Sequence, residues 1–283
     1  MAEHGEHGTL VGNFPGTWPL PAGWGSWARR AAGAVWCVAL AGSGAAAEEG
    51  FAKSRPDFAK PFVQRVQAEG HCRLALVLAL DVSASVDAAE YALQRDGLVA
   101  ALRAPDIQRA ILQGQGAVAL SVFEWSGRQQ QVVVLPWVML RDRAALEQAI
   151  GVIARARRSY SGFPTAAGYG LGFGAGMLRE APACDRQVID VSGDGINNEG
   201  FAPALAYKHF PFDGVVVNGL AILGPDEGVQ RFYREEILHG PGAFMVTAEG
   251  FEDFRRAMTL KLFRELNDLQ VGERADGTTT CCG

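Results

Sequence analysis

The chain has 283 residues, 48% hydrophobic and 20% charged, which is enough apolar material for a sizeable core. Lys plus Arg number 26 against 31 Asp plus Glu, a net charge of -5 that excludes the basic excess of a nucleic-acid binder. Thirty-five glycines spread through mixed sequence without a collagen period exclude a low-complexity chain, and five cysteines are too few for a disulfide-built miniprotein and form no zinc pattern.

Residues 1–47 read as a segment removed on export. Trp18, Trp24, Trp27 and Trp36 lie among Gly and Pro. Arg29 and Arg30 then precede an apolar run that ends in the small residues up to Ala47. A positive flank, a short apolar core and an A-x-A-like end are the marks of a secretory signal peptide, here cleaved after Ala47. The core is about a dozen residues, too short to span a bilayer, so no stable membrane insertion is expected after cleavage. An uncleaved anchor is the alternative. The polar leader Glu3-His4-Gly5-Glu6-His7 is read as such and not as a metal site. Export places the chain in the periplasm or outside the cell, where thiols oxidise, with Cys72, Cys184, Cys281 and Cys282 retained.

Residues 48–70 are mixed and charged, an expected N-terminal arm. Arg73 to Leu80 is apolar on both faces, as suits a central strand of a parallel sheet covered on both sides. It ends sharply at Asp81-Val-Ser-Ala-Ser-Val-Asp87. Helical spacing follows over 88–102 and again over 105–112, where Pro105 suits a first helical position. Strands are predicted at 117–125 and 131–139, joined as a hairpin, with Pro136 confining the second to an edge. Helices follow near 143–155 and 165–180. Strands at 186–192, 214–223 and 242–247 are separated by a polar loop with a short helix before Gly214 and by a helix near 227–238, and 251–269 closes the pattern. Residues 271–283 read as a polar tail. Such alternation predicts one α/β domain over 71–270: a doubly wound, mostly parallel sheet with one antiparallel edge strand and helices on both faces.

In this architecture ligands bind beyond the carboxyl ends of the strands. Three polar clusters fall there: Asp81-x-Ser83-x-Ser85, Thr165 at a helix start, and Asp194 after a later strand. All are hard oxygen donors, which suit Mg²⁺, Mn²⁺ or Ca²⁺ and not Zn²⁺ or Cu²⁺. Taken alone, Asp81 and Ser83 would read as helix caps. The order of the three clusters resembles the metal-ion-dependent adhesion site of von Willebrand factor type A domains. The segments Asp190-Val-Ser-Gly-Asp-Gly-Ile-Asn-Asn198, Asn218-Gly-Leu-Ala221 and Gly240-Pro-Gly-Ala-Phe244 further resemble a bacterial exported family, DUF1194, over about residues 71–270. Gly193 stands in front of Asp194 where the usual pattern has Thr or Ser.

The resemblance implies that Ser83, Ser85 and Thr165 offer hydroxyls to the metal, and that Asp81 and Asp194 bind it directly or through water. Neutral hydroxyls leave such an ion electrophilic, with a water that a partner's Asp or Glu carboxylate replaces. The expected function is therefore an exported, metal-dependent protein-binding module, and not an enzyme. Two alternatives stay open: a metal-dependent hydrolase, for which no general base is tied by motif to the site, and a domain that the ion merely stabilises. The partner is a protein presenting Asp or Glu; no nucleic acid is expected, and the chain is expected to be a monomer.

Cys72 lies nine residues before Asp81 and Cys184 ten before Asp194. If both acids end neighbouring parallel strands, the cysteines meet at the opposite end, so a Cys72–Cys184 disulfide is expected. Gly168, Gly170, Gly172, Gly174 and Gly176 alternate through a predicted helix and read as close helix–sheet packing, not as a dinucleotide loop. Asp87 reads as a cap. Asn197 and Asn198 are rim or turn residues, and Arg155, Arg157 and Arg158 read either as cations complementing a helix end or as positive potential beside the metal that favours an acidic partner.

Overall fold

A computed structural model describes residues 71–224 and 227–267. The expected signal segment, arm and tail lie outside these residues. So do Cys281 and Cys282.

Six strands form one sheet in the order β3-β2-β1-β4-β5-β6. They are β1 (Cys72–Asp81), β2 (Ala117–Trp125), β3 (Gln131–Leu140), β4 (Arg186–Gly193), β5 (Val215–Ile222) and β6 (Met245–Ala248). Only β3 runs antiparallel, paired with β2 at the edge where Pro136 removes no needed donor. The helices are α1 (Ala88–Arg103), α2 (Pro105–Gln113), α3 (Arg143–Ala154), α4 (Ala167–Arg179), α5 (Pro203–His209), α6 (Val229–Phe232) and α7 (Phe254–Asn267). The doubly wound fold expected from the alternation is thus the observed one.

Two predicted elements differ. The segment 227–238 is not one helix: α6 is a single turn that widens into a π-helical turn over Tyr233–Ile237. The closing helix is preceded by a 3₁₀ turn over Phe251–Asp253. Hydrophobic spacing marks both segments as helical, but it does not distinguish i+3, i+4 and i+5 hydrogen bonding.

Alternation along the strands divides the core into two apolar layers. Leu74, Leu76, Leu78 and Leu80 of β1 face the layer that holds Leu98 of α1 and Leu262 of α7. Ala75, Val77 and Ala79 face the layer of Leu171 of α4 and Tyr233. On this second face the α4 glycines let the helix lie close. A Cβ at Gly168 would fall 2.1 Å from the Phe201 carbonyl oxygen, and one at Gly172 would fall 2.8 Å from the Phe210 ring. At Gly176, on the exposed side, nothing lies within 4 Å. The two positions predict opposite outcomes. Gly168→Ala should cost about 1–3 kcal/mol through overpacking against backbone. Gly176→Ala should stabilise by up to about 1 kcal/mol through helix propensity. Denaturant melts of the two variants decide; a stabilising Gly168→Ala would refute the close-packing account.

At the amino ends of β1 and β4, Cys72 and Cys184 form a disulfide with Cα atoms 4.5 Å apart. The Asp185 N–H donates to the Cys72 carbonyl at 3.0 Å, so the bridge extends the β1–β4 ladder by one covalent rung.

Candidate cation site

The strand order reverses direction of winding between β1 and β4, the switch point beyond whose carboxyl ends such folds leave a crevice. Register makes Leu80 and Ser192 the last facing pair, and Asp81 and Gly193 follow them directly at the strand ends. Asp81 is fully buried. Its Oδ1 accepts from the Ser83 N–H at 2.7 Å, which folds the Asp81–Ser85 loop back over the strand end. Ser83 Oγ lies 3.2 Å from Ser85 Oγ, and the Ser85 hydroxyl donates to Asp194 Oδ1 at 2.8 Å. Hydrogen bonds thus link Asp81, Ser83, Ser85 and Asp194 across two strands 109 residues apart at their outer pair.

Thr165 reaches the same crevice from the loop before α4. A Cβ built on Gly195 would lie 3.4 Å from Thr165 Oγ1, which puts that hydroxyl against the Asp194 turn. Thr165 lies two residues before the helix, whose first residue is Ala167. Its backbone is tied down on both sides: Asn198 Oδ1 accepts from the Thr165 N–H at 2.8 Å, and the Asn198 N–H donates to the Thr165 carbonyl at 2.9 Å. Asn197 and Asn198 therefore serve the loop geometry. Asp87 caps α1 in a capping box with Glu90, which frees Asp81 and Ser83 from that role.

Electrostatics single out Asp81. Burial, and then the Asp194 carboxylate nearby, push its carboxyl up to about 7, against the Ser83 hydrogen bonds and Arg158, which act in the other direction. Its Oδ2 is buried without a hydrogen-bond partner. That oxygen and the Tyr233 hydroxyl both crowd the place a side chain would take at Gly193: a Cβ there would fall 2.6 Å from the one and 2.7 Å from the other. Gly193 thus belongs in front of Asp194 for steric reasons, and Thr or Ser would collide.

Two further residues bear on the site, Arg158 marked in the sequence only as one of three clustered cations and Glu124 not marked at all. Arg158 donates to the Val82 and Ser83 carbonyls at 3.1 and 2.9 Å, so it clamps the serine loop and does not cap a helix end. Glu124, buried at the end of β2, accepts from Tyr91 at 2.7 Å and from the Ser159 N–H at 2.8 Å, which positions the start of the Thr165 loop. Neither follows from local pattern, because each partner lies at least 33 residues away. The histidines stand apart: His71 sits beside the disulfide, and His239 stacks on Tyr207. Among the described residues no three His, Cys, Asp or Glu side chains converge as a metal set; the crevice collects two acids and three hydroxyls instead.

Comparison with known proteins agrees with this architecture. Proximal thread matrix protein 1 from the mussel byssus, with a zinc-occupied MIDAS motif, is 16% identical at TM-score 0.50, covering 70% of this chain and 47% of that one. The open conformation of the pilus adhesin SpaC from Lactobacillus rhamnosus GG is 15% identical at TM-score 0.51, covering 70% and 30%. A von Willebrand factor type A protein from Catenulispora acidiphila is 14% identical at TM-score 0.49, covering 69% and 43%. The chain spans less than half the length of each, and these likenesses concern the fold. No curated protein sequence matches the chain. The family model described as "Protein of unknown function (DUF1194)" matches residues 71–270, and its span includes all three polar clusters and both bridged cysteines. The chain therefore belongs to the DUF1194 family, built on a doubly wound α/β fold.

Proposed function

We propose that this is an exported protein-binding module in which Asp81, Ser83, Ser85, Thr165 and Asp194 hold a divalent cation, Mg²⁺ before Mn²⁺ or Ca²⁺. The observation that carries this reading is the donor set itself. Two carboxylates and three hydroxyls converge at the sheet's switch point, and one buried carboxylate oxygen lacks any hydrogen bond. A buried acid facing a second acid is costly unless a cation or a proton lies between them. Oxygen-only donors match hard divalent ions.

The residues fit such an ion. The three hydroxyls would ligate it without quenching its charge, while Asp81 and Asp194 balance that charge. Bound there, the ion supplies an electrophilic position whose water a partner's carboxylate replaces. Ser85 is exposed, which leaves the crevice open on that side. The fold is shared with the adhesin and the byssus protein named above, and adhesion through a carboxylate is the use we assign to it here. The disulfide supports an oxidising compartment. No helix of the described residues is long and apolar enough to cross a membrane.

Thermal melting tests the reading. Ligand that binds only the native state stabilises it by about 2.7 kcal/mol at a hundredfold excess over Kd. The wild-type midpoint should rise with Mg²⁺ relative to EDTA. In Asp81→Asn, which keeps the Oδ1 acceptor for Ser83, the rise should vanish while the EDTA midpoint shows a folded protein. A folded wild type with no shift for Mg²⁺, Mn²⁺ or Ca²⁺ would sink the metal-mediated mechanism. With the ion established, an immobilised acidic peptide should be retained in Mg²⁺ and released by EDTA.

A further inference from the structure

Tyr233 enters the cation site from a segment that no motif marks. Odd-numbered residues of β1, β4 and β5 face the layer to which Tyr233 belongs, so Asp81, Gly193 and Gly219 share its side of the sheet. Gly193 and Gly219 lie on adjacent strands and leave bare backbone beneath the tyrosine. A Cβ at Gly219 would fall 2.7 Å from Tyr233 Cδ1; one at Gly193 would fall 2.7 Å from its hydroxyl and 2.6 Å from Asp81 Oδ2. The two glycines form a slot that admits the ring and directs its hydroxyl to the buried carboxylate.

The backbone is arranged for this placement. Tyr233 begins the π-helical turn, a conformation that is rare and frequent at functional sites. The turn is held at its far end, where the Leu238 N–H donates to the Tyr233 carbonyl and His239 pairs with Val217 in both directions. The phenol is neutral at physiological pH and is therefore a donor. Asp81 Oδ2 is an acceptor without a donor.

We propose that Tyr233 is a positioning residue of the cation site, its hydroxyl donating through an intervening water to Asp81 Oδ2 and holding that carboxylate in ligating orientation. The inference rests on the cation reading of Asp81, Ser83, Ser85, Thr165 and Asp194. It accounts for glycine at 219, where a Cβ would meet Tyr233 and Leu238 but no member of the ligand set. Partners that orient metal ligands in this way carry about 10–100-fold of metal affinity.

The test is calorimetric titration of the full chain with Mg²⁺, and with Mn²⁺, beside melting in EDTA. Tyr233→Phe removes only the hydroxyl. It should bind at least about 10-fold more weakly while its EDTA midpoint stays near that of wild type. Gly219→Ala meets the ring edge and no ligand, and should weaken binding in the same way by displacing the tyrosine. A tyrosine that merely packs would change the EDTA midpoint and leave affinity alone. Wild-type affinity in Tyr233→Phe overturns the proposal; if that variant does not fold, wild-type affinity in Gly219→Ala overturns it. Binding by wild type that Asp81→Asn abolishes, with Tyr233→Phe unchanged, overturns the tyrosine's role and leaves the cation reading standing. Absence of binding by wild type overturns both.

Discussion

Replacing Cys72 and Cys184 by serine should lower stability by about 4–5 kcal/mol, the largest single effect expected in this chain. The bridge spans 112 residues of sequence. Closing so long a loop removes conformational freedom chiefly from the unfolded chain, and the chain-entropy model gives that figure for a loop of about a hundred residues. A domain of about 200 residues loses roughly 2–4 °C of midpoint per kcal/mol, so the fall should be about 10 °C or more. Reduction of the wild type should reproduce it. The bridge lies at the amino end of β1 and Asp81 at the carboxyl end. Ten residues at about 3.3 Å each separate the two by about 30 Å. The Mg²⁺-dependent rise should therefore survive in the reduced protein, at a lower baseline. An unchanged midpoint on reduction would show that the bridge adds nothing to stability.

Lys261→Met should cost about 3–5 kcal/mol, because it leaves buried charges without their counterion. Lys261 is fully buried on α7, with Nζ 2.9 Å from Asp190 Oδ1 and 3.2 Å from Glu265 Oε1. Its approach to Asp190 is close but poorly aligned, and both Asp190 oxygens lack a hydrogen bond. Asn218 completes the cluster: its Nδ2 donates to Glu265 Oε1, and its Oδ1 accepts from the Phe244 N–H, both at 2.7 Å. Burial pushes the Asp190 carboxyl up to about 7; Lys261 opposes the rise and Glu265 adds to it. The sign of the pH dependence follows. An acid whose folded pKa is raised binds its proton more tightly in the native state, so stability falls as pH climbs from the unfolded value near 4 toward 7. Removal of Lys261 takes away the opposing charge and raises Asp190 further. The deficit of the variant should therefore be largest at pH 8 and shrink at pH 5, where Asp190 neutralises. Urea melts at the two pH values measure it; a deficit that grows on acidification would contradict this account.

The three segments that resemble DUF1194 acquire physical roles in the fold. Asp190, Asn218 and Phe244 are the sheet-side contacts of the Lys261–Glu265 pair, with the Phe244 ring packed against Lys261 and 3.7 Å from the Arg264 guanidinium. Gly193 and Gly219, from the same segments, form the slot for Tyr233. What the segments share is contact with elements that arrive later in the chain: α7 in one case, the π turn in the other.

Much of the fold was legible because its signals are local. Burial on both faces makes β1 a continuous apolar run, and the abrupt change at Asp81 marks where the strand leaves the core. Pro136 announces the edge, and Asp87 with Glu90 the start of α1. Parallel neighbouring strands carry Cys72 and Cys184 to one end and Asp81 and Asp194 to the other over nine and ten residues, so counting residues sufficed to pair the cysteines and to bring the acids to one end. Side chains whose role depends on a distant partner were not legible. Lys261 and Glu265, four apart on a helix of mixed polarity, look like a solvated surface pair; only the packing of α7 against β4 and β5 buries them. Arg158 looks like a helix-end cation until the serine loop comes within its reach. Tyr233 looks like any helical aromatic until a widened turn lays it across two glycines. The sequence by itself determined which segments are strands and helices and which polar groups stand at strand ends, because periodicity and chain breaks are written within a few residues. Tertiary structure alone decided what surrounds those groups, because burial and charge pairing depend on contacts between segments tens of residues apart.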